Sequence, residues 1–110
     1  MILIFGGAYQ GKLDYALERF NSGEHKIIRE LDKWILELVQ ADADVAEEVQ
    51  KFIAENADAV VICGDISCGV VPVDPVMRKW REAVGRTLAS LSRKSDEVVR
   101  LFCGIPTRIK

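Results

Sequence analysis

The chain has 110 residues, enough for one compact domain, 1–110, and too few for two independent cores. With 49% hydrophobic and 29% charged residues it reads as an ordinary folded protein, and a formal charge of -2 over mixed signs offers no field to hold nucleic acid or anionic lipid. No apolar run reaches the roughly 18 residues of a membrane span, and Met1 to Phe5 lacks the basic flank of a signal peptide, so a cytoplasmic protein with no membrane partner is expected.

The first apolar run, Ile2 to Phe5, reads as a buried strand that stops at a glycine loop. Lys12 to Phe20 follows with helical spacing, placing Leu13, Ala16, Leu17 and Phe20 on one face, and Gly23 closes it. Lys26 to Arg29 is a weaker strand candidate. Leu31, Trp34, Ile35, Leu38 and Val39 form one helical stripe, and Val45, Val49, Phe52 and Ile53 form a second; they fit one long helix, or two with a break near Ala41 to Asp44. Ala59 to Cys63 is the next clear strand.

A helix then begins near Pro75, whose fixed φ suits a first turn, with Asp74 as its cap and Met77, Trp80, Val84, Leu88 and Leu91 as its apolar face. Val98 to Cys103 is a further strand, and beyond Gly104 and Pro106 the segment Thr107 to Lys110 turns back as a short edge strand. Cys63, Cys68 and Cys103 form no C-x-x-C pair, which fits a reducing compartment; Cys63 and Cys103, inside apolar runs, read as small buried hydrophobes. Strands that are apolar without a period of two, alternating with helices, give the α/β class with a mostly parallel sheet covered on both faces.

Chemistry concentrates in the loop after the first strand. Gly6-Gly7-Ala8-Tyr9-Gln10-Gly11-Lys12-Leu13 nearly matches the phosphate-binding pattern G-x-x-x-x-G-K-[ST], between a buried strand and an amphipathic helix as that loop requires. Glycines let successive N–H groups curl inward, the helix N-terminus adds partial positive charge, and Lys12 reaches the terminal phosphates. Leu13 lacks the hydroxyl that Ser or Thr gives to Mg²⁺, so the anion cradle stands while no metal ligand is assigned. The alternative is a tight strand-to-helix turn made for packing.

Beyond the loop, Gly64-Asp65-Ile66-Ser67-Cys68-Gly69-Val70-Val71-Pro72, then Arg78 and Gly85, then Gly104-Ile105-Pro106-Thr107-Arg108-Ile109-Lys110, follow in an order that resembles the adenosylcobinamide kinase / adenosylcobinamide-phosphate guanylyltransferase family of cobalamin biosynthesis. Leu31 to Val39, with Trp34, is similar to a helix of that family. The resemblance implies a three-layer P-loop NTPase-like (RecA-type) fold, a mostly parallel sheet with a C-terminal antiparallel edge strand, assembled as a homotrimer. It also implies ATP or GTP as nucleotide, cobinamide as acceptor, transfer of phosphate to the cobinamide hydroxyl, and transfer of GMP through a histidine. Gly6 to Lys12 carry over as the nucleotide-phosphate site, and Leu13 through its backbone N–H.

Asp65 falls where the family has Glu. At the carboxyl end of a buried strand it can bind a metal through water or take a proton from a substrate hydroxyl, or equally cap its own turn. The family's metal-holding acid at the end of the next strand falls at Arg29, beside Glu30, which puts Mg²⁺ in doubt. The stretch before Leu31 is much shorter than in the family, and the guanylylated histidine's surroundings are missing from it; His25, the one histidine, reads as a surface residue. Arg78 and Arg81 read as a solvated face or as partners of Glu82, Trp34 and Trp80 as core, and Asp42 to Glu48 as an exposed helix face without calcium spacing. Three functions remain: an enzyme of the family type with Lys12 and Asp65 at its centre, a degenerate relative that binds phosphate, nucleotide or a protein without turnover, or a subunit completed by another chain.

Overall fold

A computed structural model of the chain describes residues 1–20, 23, 25–66 and 73–110. Asn21, Ser22 and Glu24 lie outside the described residues, and so does Ser67 to Pro72, which carries part of the family resemblance. The elements run β1 (Ile2–Gly6), α1 (Lys12–Arg19), β2 (Ile27–Ile28), α2 (Leu31–Gln40), α3 (Val45–Glu55), β3 (Val60–Gly64), α4 (Pro75–Lys94), β4 (Glu97–Phe102) and β5 (Ile105–Arg108). The strands form one sheet in the order β2-β3-β1-β4-β5. The pairs β1–β3, β1–β4 and β2–β3 are parallel and β4–β5 is antiparallel, the mostly parallel P-loop NTPase-like architecture expected, with its antiparallel edge strand.

Two apolar clusters explain why the central strands show no period of two. Leu3, Val61, Cys63 and Val98 face α2, α3 and α4 with Leu31, Ile35, Val49, Val84, Leu88 and Leu91. Ile4, Val60, Ile62, Val99 and Leu101 face α1 with Ala16 and Phe20. Each strand residue therefore meets a helix whichever way it points, and burying a side chain such as Leu3 or Ile4 completely contributes roughly 1.5–3 kcal/mol.

Local chemistry sets the boundaries. The two apolar stripes are two helices: Asp42 takes a left-handed φ of 55° between them, and Asp44 caps α3 by accepting from the Glu47 N–H at 3.1 Å. At α4 the Asp74 carboxylate accepts from Val76 N at 2.8 Å and Met77 N at 3.4 Å, with Pro75 in the first turn. The first helix stops before Gly23, with Phe20 as its C-cap. Leu17, expected on its buried face, is 45% exposed, because α1 meets the sheet through Leu13, Ala16 and Phe20 and leaves the next position at the rim.

Cys103 is also corrected. It is exposed, because with φ of 52° it and Gly104, with φ of 74°, make the two-residue turn of the β4–β5 hairpin, the geometry of a type I′ turn. That turn lets β5 start at Ile105 rather than Thr107. Cys63 is buried as expected. Among the described residues no helix is long and apolar enough to cross a membrane.

Candidate functional site

All four parallel strands deliver their carboxyl ends to one edge, where the chain leaves β1 for α1 on one face and β3 for α4 on the other. A crevice opens where neighbouring strands diverge in this way. Here it is a cleft of about 650 Å³ that draws residues 8–14 from the first loop, Arg29, Glu30, Asp32 and Lys33 from the end of β2 and the start of α2, and Ile62 with residues 64–66 from β3.

On the loop side the backbone makes two left-handed turns before α1. Tyr9 has φ of 59° and Gly11 has φ of 82°, and Gly11 is the N-cap from which α1 begins. A side chain at Gly11 would be strained in that left-handed conformation. The Lys12 Nζ folds back to donate to the Gly7 carbonyl at 2.6 Å, so the ammonium lies across its own loop beside the positive end of the α1 dipole. Leu13 turns its side chain into the α1-face core. The Gln10 side chain accepts from the Cys103 N–H, tying the loop to the hairpin turn.

The opposite wall is assembled from distant segments. Gly64 is the register partner of Gly6 on the neighbouring strand, and the Asp65 N–H donates to the Gly6 carbonyl at 2.8 Å. Asp32, in the first turn of α2, accepts from the Gly64 N–H through Oδ1 at 2.9 Å. A Cβ on Gly64 would sit 3.0 Å from Asp32 Oδ2, so any larger residue there requires the carboxylate to give by a few tenths of an ångström. The Trp80 indole N–H donates to the Asp32 carbonyl at 2.7 Å, fastening the same residue to α4. Lys33 pairs with Glu30 at 3.1 Å. Behind this wall, burial pushes the Cys63 thiol up to about 12, with the Asp32 and Asp65 charges adding to the effect.

Of the residues singled out from sequence, Ala8 to Leu13 and Asp65 line one cleft, while Gly6 and Gly7 are not part of its lining: Gly6 ends β1 and Gly7 accepts from Lys12. Arg29 lines it too. Asp32 was not singled out; its signal is a carboxylate in the first helical turn after a strand that ends at the cleft. His25 is absent from the lining and packs edge-on against Phe20, ring centroids 5.3 Å apart. Trp34 stacks near Phe52 at 5.3 Å, in keeping with a core role. Glu82 pairs with Arg86 at 4.0 Å. Away from the cleft, Arg19 and Glu97 join α1 to β4 with two hydrogen bonds; Arg19 holds the Glu97 carboxyl below its usual range, and Glu97 raises the Arg19 guanidinium.

The model of the family described as CobU, cobinamide kinase / cobinamide phosphate guanyltransferase, matches residues 17–109. The match begins inside α1, so it carries the cleft's far wall and leaves Gly6 to Leu13 to be judged on their own geometry. No curated protein matches the chain.

Proposed function

We propose, since the chain belongs to the cobinamide kinase / cobinamide phosphate guanyltransferase family, that its cleft binds the phosphates of ATP or GTP and directs the terminal phosphoryl group to the cobinamide hydroxyl. One observation supports this most: the Lys12 ammonium held over the Gly7 carbonyl at the start of α1, with Gly11 in the left-handed conformation that aims the loop inward. In this reading the N–H groups of Gly7 to Leu13 take the phosphate oxygens. Lys12 neutralises the charge that develops on them, and Asp65 accepts the proton of the attacking hydroxyl.

Phosphoryl transfer generally uses Mg²⁺ to bridge and neutralise the phosphates. The donor set fits a cation shared with the nucleotide rather than one caged by protein. Among the described residues no group of three or more His, Cys, Asp or Glu surrounds a metal position, while Asp32 and Asp65 stand in the cleft, and Mg²⁺ is commonly held by one or two carboxylates plus substrate phosphates. The guanylyl step is not assigned, because His25 packs on Phe20 away from the cleft lining.

A second reading, binding without turnover, is favoured by Leu13 and Arg29, which occupy two positions where oxygen ligands are expected. Incubating the protein with γ-labelled ATP or GTP, Mg²⁺ and cobinamide separates the two. Labelled cobinamide phosphate supports the kinase reading, and saturable nucleotide binding with no transfer supports the second. Alongside either reading we place a single P-loop-like domain over 1–110, a cytoplasmic location, and a homo-oligomer, the last supported by exposed Phe102, Ile105 and Ile109 on the hairpin.

A further inference from the structure

The cleft carries more negative charge than a phosphate site alone explains. Its lining brings Asp14, Glu30, Asp32 and Asp65 together with Lys12, Arg29 and Lys33, and Lys33 is already paired with Glu30. A polyphosphate entering beside these carboxylates is repelled at separations of a few ångströms, where the low dielectric of a cleft strengthens every charge interaction. A divalent cation on the phosphates reverses the sign of that interaction, provided one carboxylate is fixed where the cation arrives.

Asp32 is fixed in that way. Its Oδ1 is held by the Gly64 N–H at 2.9 Å, which leaves Oδ2 without a hydrogen-bond partner among the described residues. Its own carbonyl is held by Trp80 at 2.7 Å. Since Gly64 is the register partner of Gly6, the residue that anchors the carboxylate lies about one strand spacing, roughly 4.8 Å, from the strand that opens the phosphate loop, with the carboxylate on its far side. Arg29, at the end of β2, brings a guanidinium to the same wall and cannot serve a cation.

We infer that Asp32, presented from the first turn of α2 and locked to Gly64, is the carboxylate that meets a divalent cation carried on the nucleotide phosphates, so that nucleotide binding to this chain depends on that cation. The inference rests on the nucleotide reading above and names the residue through which the cation acts. Lys12 supplies the fixed positive charge from the loop, Asp32 the fixed negative charge from the opposite wall, and the cation joins the phosphates to the second of these.

The test is a titration of a fluorescent, non-hydrolysable GTP or ATP analogue into the full chain with and without Mg²⁺, repeated for Asp32→Asn. Asparagine keeps an acceptor for the Gly64 N–H and removes only the charge. The wild-type chain is expected to bind more tightly with Mg²⁺, and Asp32→Asn to lose that gain by about tenfold or more while binding the metal-free analogue at least as well. With Mn²⁺ in place of Mg²⁺, the free-ion electron paramagnetic resonance signal, already lowered by the analogue alone, should fall further when wild-type protein is added. That second readout applies even if the variant does not fold. An Asp32→Asn chain that keeps the full Mg²⁺ gain, or a Mn²⁺ signal that the protein does not lower further, overturns the inference while leaving nucleotide binding intact. Absence of binding by the wild-type chain with and without the cation overturns the nucleotide reading and this inference together.

Discussion

The two walls of the cleft are built differently. The β1–α1 wall closes on itself within a short stretch of chain: Lys12 bonds to Gly7, and Gly11 turns the backbone into α1. The β2–β3 wall needs three elements distant in sequence, with Asp32 of α2 held by Gly64 of β3 and by Trp80 of α4. The first wall carries the Lys12 ammonium at the start of α1. The second presents carboxylates together with Arg29 and Lys33. The first wall thus depends on local chain geometry and the second on the packing of separate elements, and the two can be perturbed separately.

The largest effect is expected on the loop wall. Lys12→Ala removes a charged donor to phosphate, worth about 1.5–3 kcal/mol, so calorimetric titration should show nucleotide affinity falling by roughly one to two orders of magnitude. Its thermal midpoint should stay close to wild type, since the hydrogen bond it loses, to the Gly7 carbonyl, lies within its own loop.

Gly64→Ala comes next and attacks the other wall. The added Cβ lies 3.0 Å from the Asp32 carboxylate, and displacing it should cost about 1–3 kcal/mol in urea unfolding. Trp80→Phe should cost about 1 kcal/mol by removing the indole donor to the Asp32 carbonyl, and it should also weaken the Mg²⁺ dependence of nucleotide binding, which a purely structural indole would leave unchanged.

The smallest effect lies outside both walls and serves as their control. Arg19 keeps the Glu97 carboxyl below its ordinary value, which is about 4.3 in an unfolded chain. The sign for a lowered carboxyl is that its stabilisation is present above the unfolded value and is lost as pH falls through the folded value. Because the Arg19 side chain is 38% exposed, the contribution should stay within about 1 kcal/mol. Glu97→Gln should therefore lower the urea midpoint slightly at pH 7 and flatten its decline below about pH 4, with nucleotide affinity unchanged.

This contrast also explains what was legible in the sequence. Strand–loop–helix around Gly6 to Leu13 is a local pattern, and so are the Asp74-Pro75 helix start and the apolar runs at Ala59 and Val98; each appears where expected because its determinants are neighbours in the chain. A helix break near Ala41 to Asp44 is an open choice in the sequence, since both helical stripes have the same period, and the Asp44 cap settles it. Cys103 was misread because the apolar run continues into the turn, while the pairing of β5 with β4 fixes where the hairpin must bend. Asp32 was missed because a carboxylate in the first turn of a helix is a common local feature, favoured there by the helix dipole, and does not by itself mark a cleft residue. Its significance comes from Gly64, 32 residues further along the chain, and only the packing of α2 on β3 brings the two together. The family match over residues 17–109 covers this nonlocal wall, whereas the loop rests on its geometry alone.

The account's central claim, that the Gly6 to Leu13 loop holds nucleotide phosphate opposite Asp32 and Asp65, is tested most directly by following backbone amide resonances as GTP or ATP is added with Mg²⁺. The account predicts saturable shifts concentrated at Gly7 to Leu13 and at Gly64 and Asp65, and their disappearance from the loop in Lys12→Ala. Shifts confined to other parts of the chain, or none at saturating nucleotide, would contradict it.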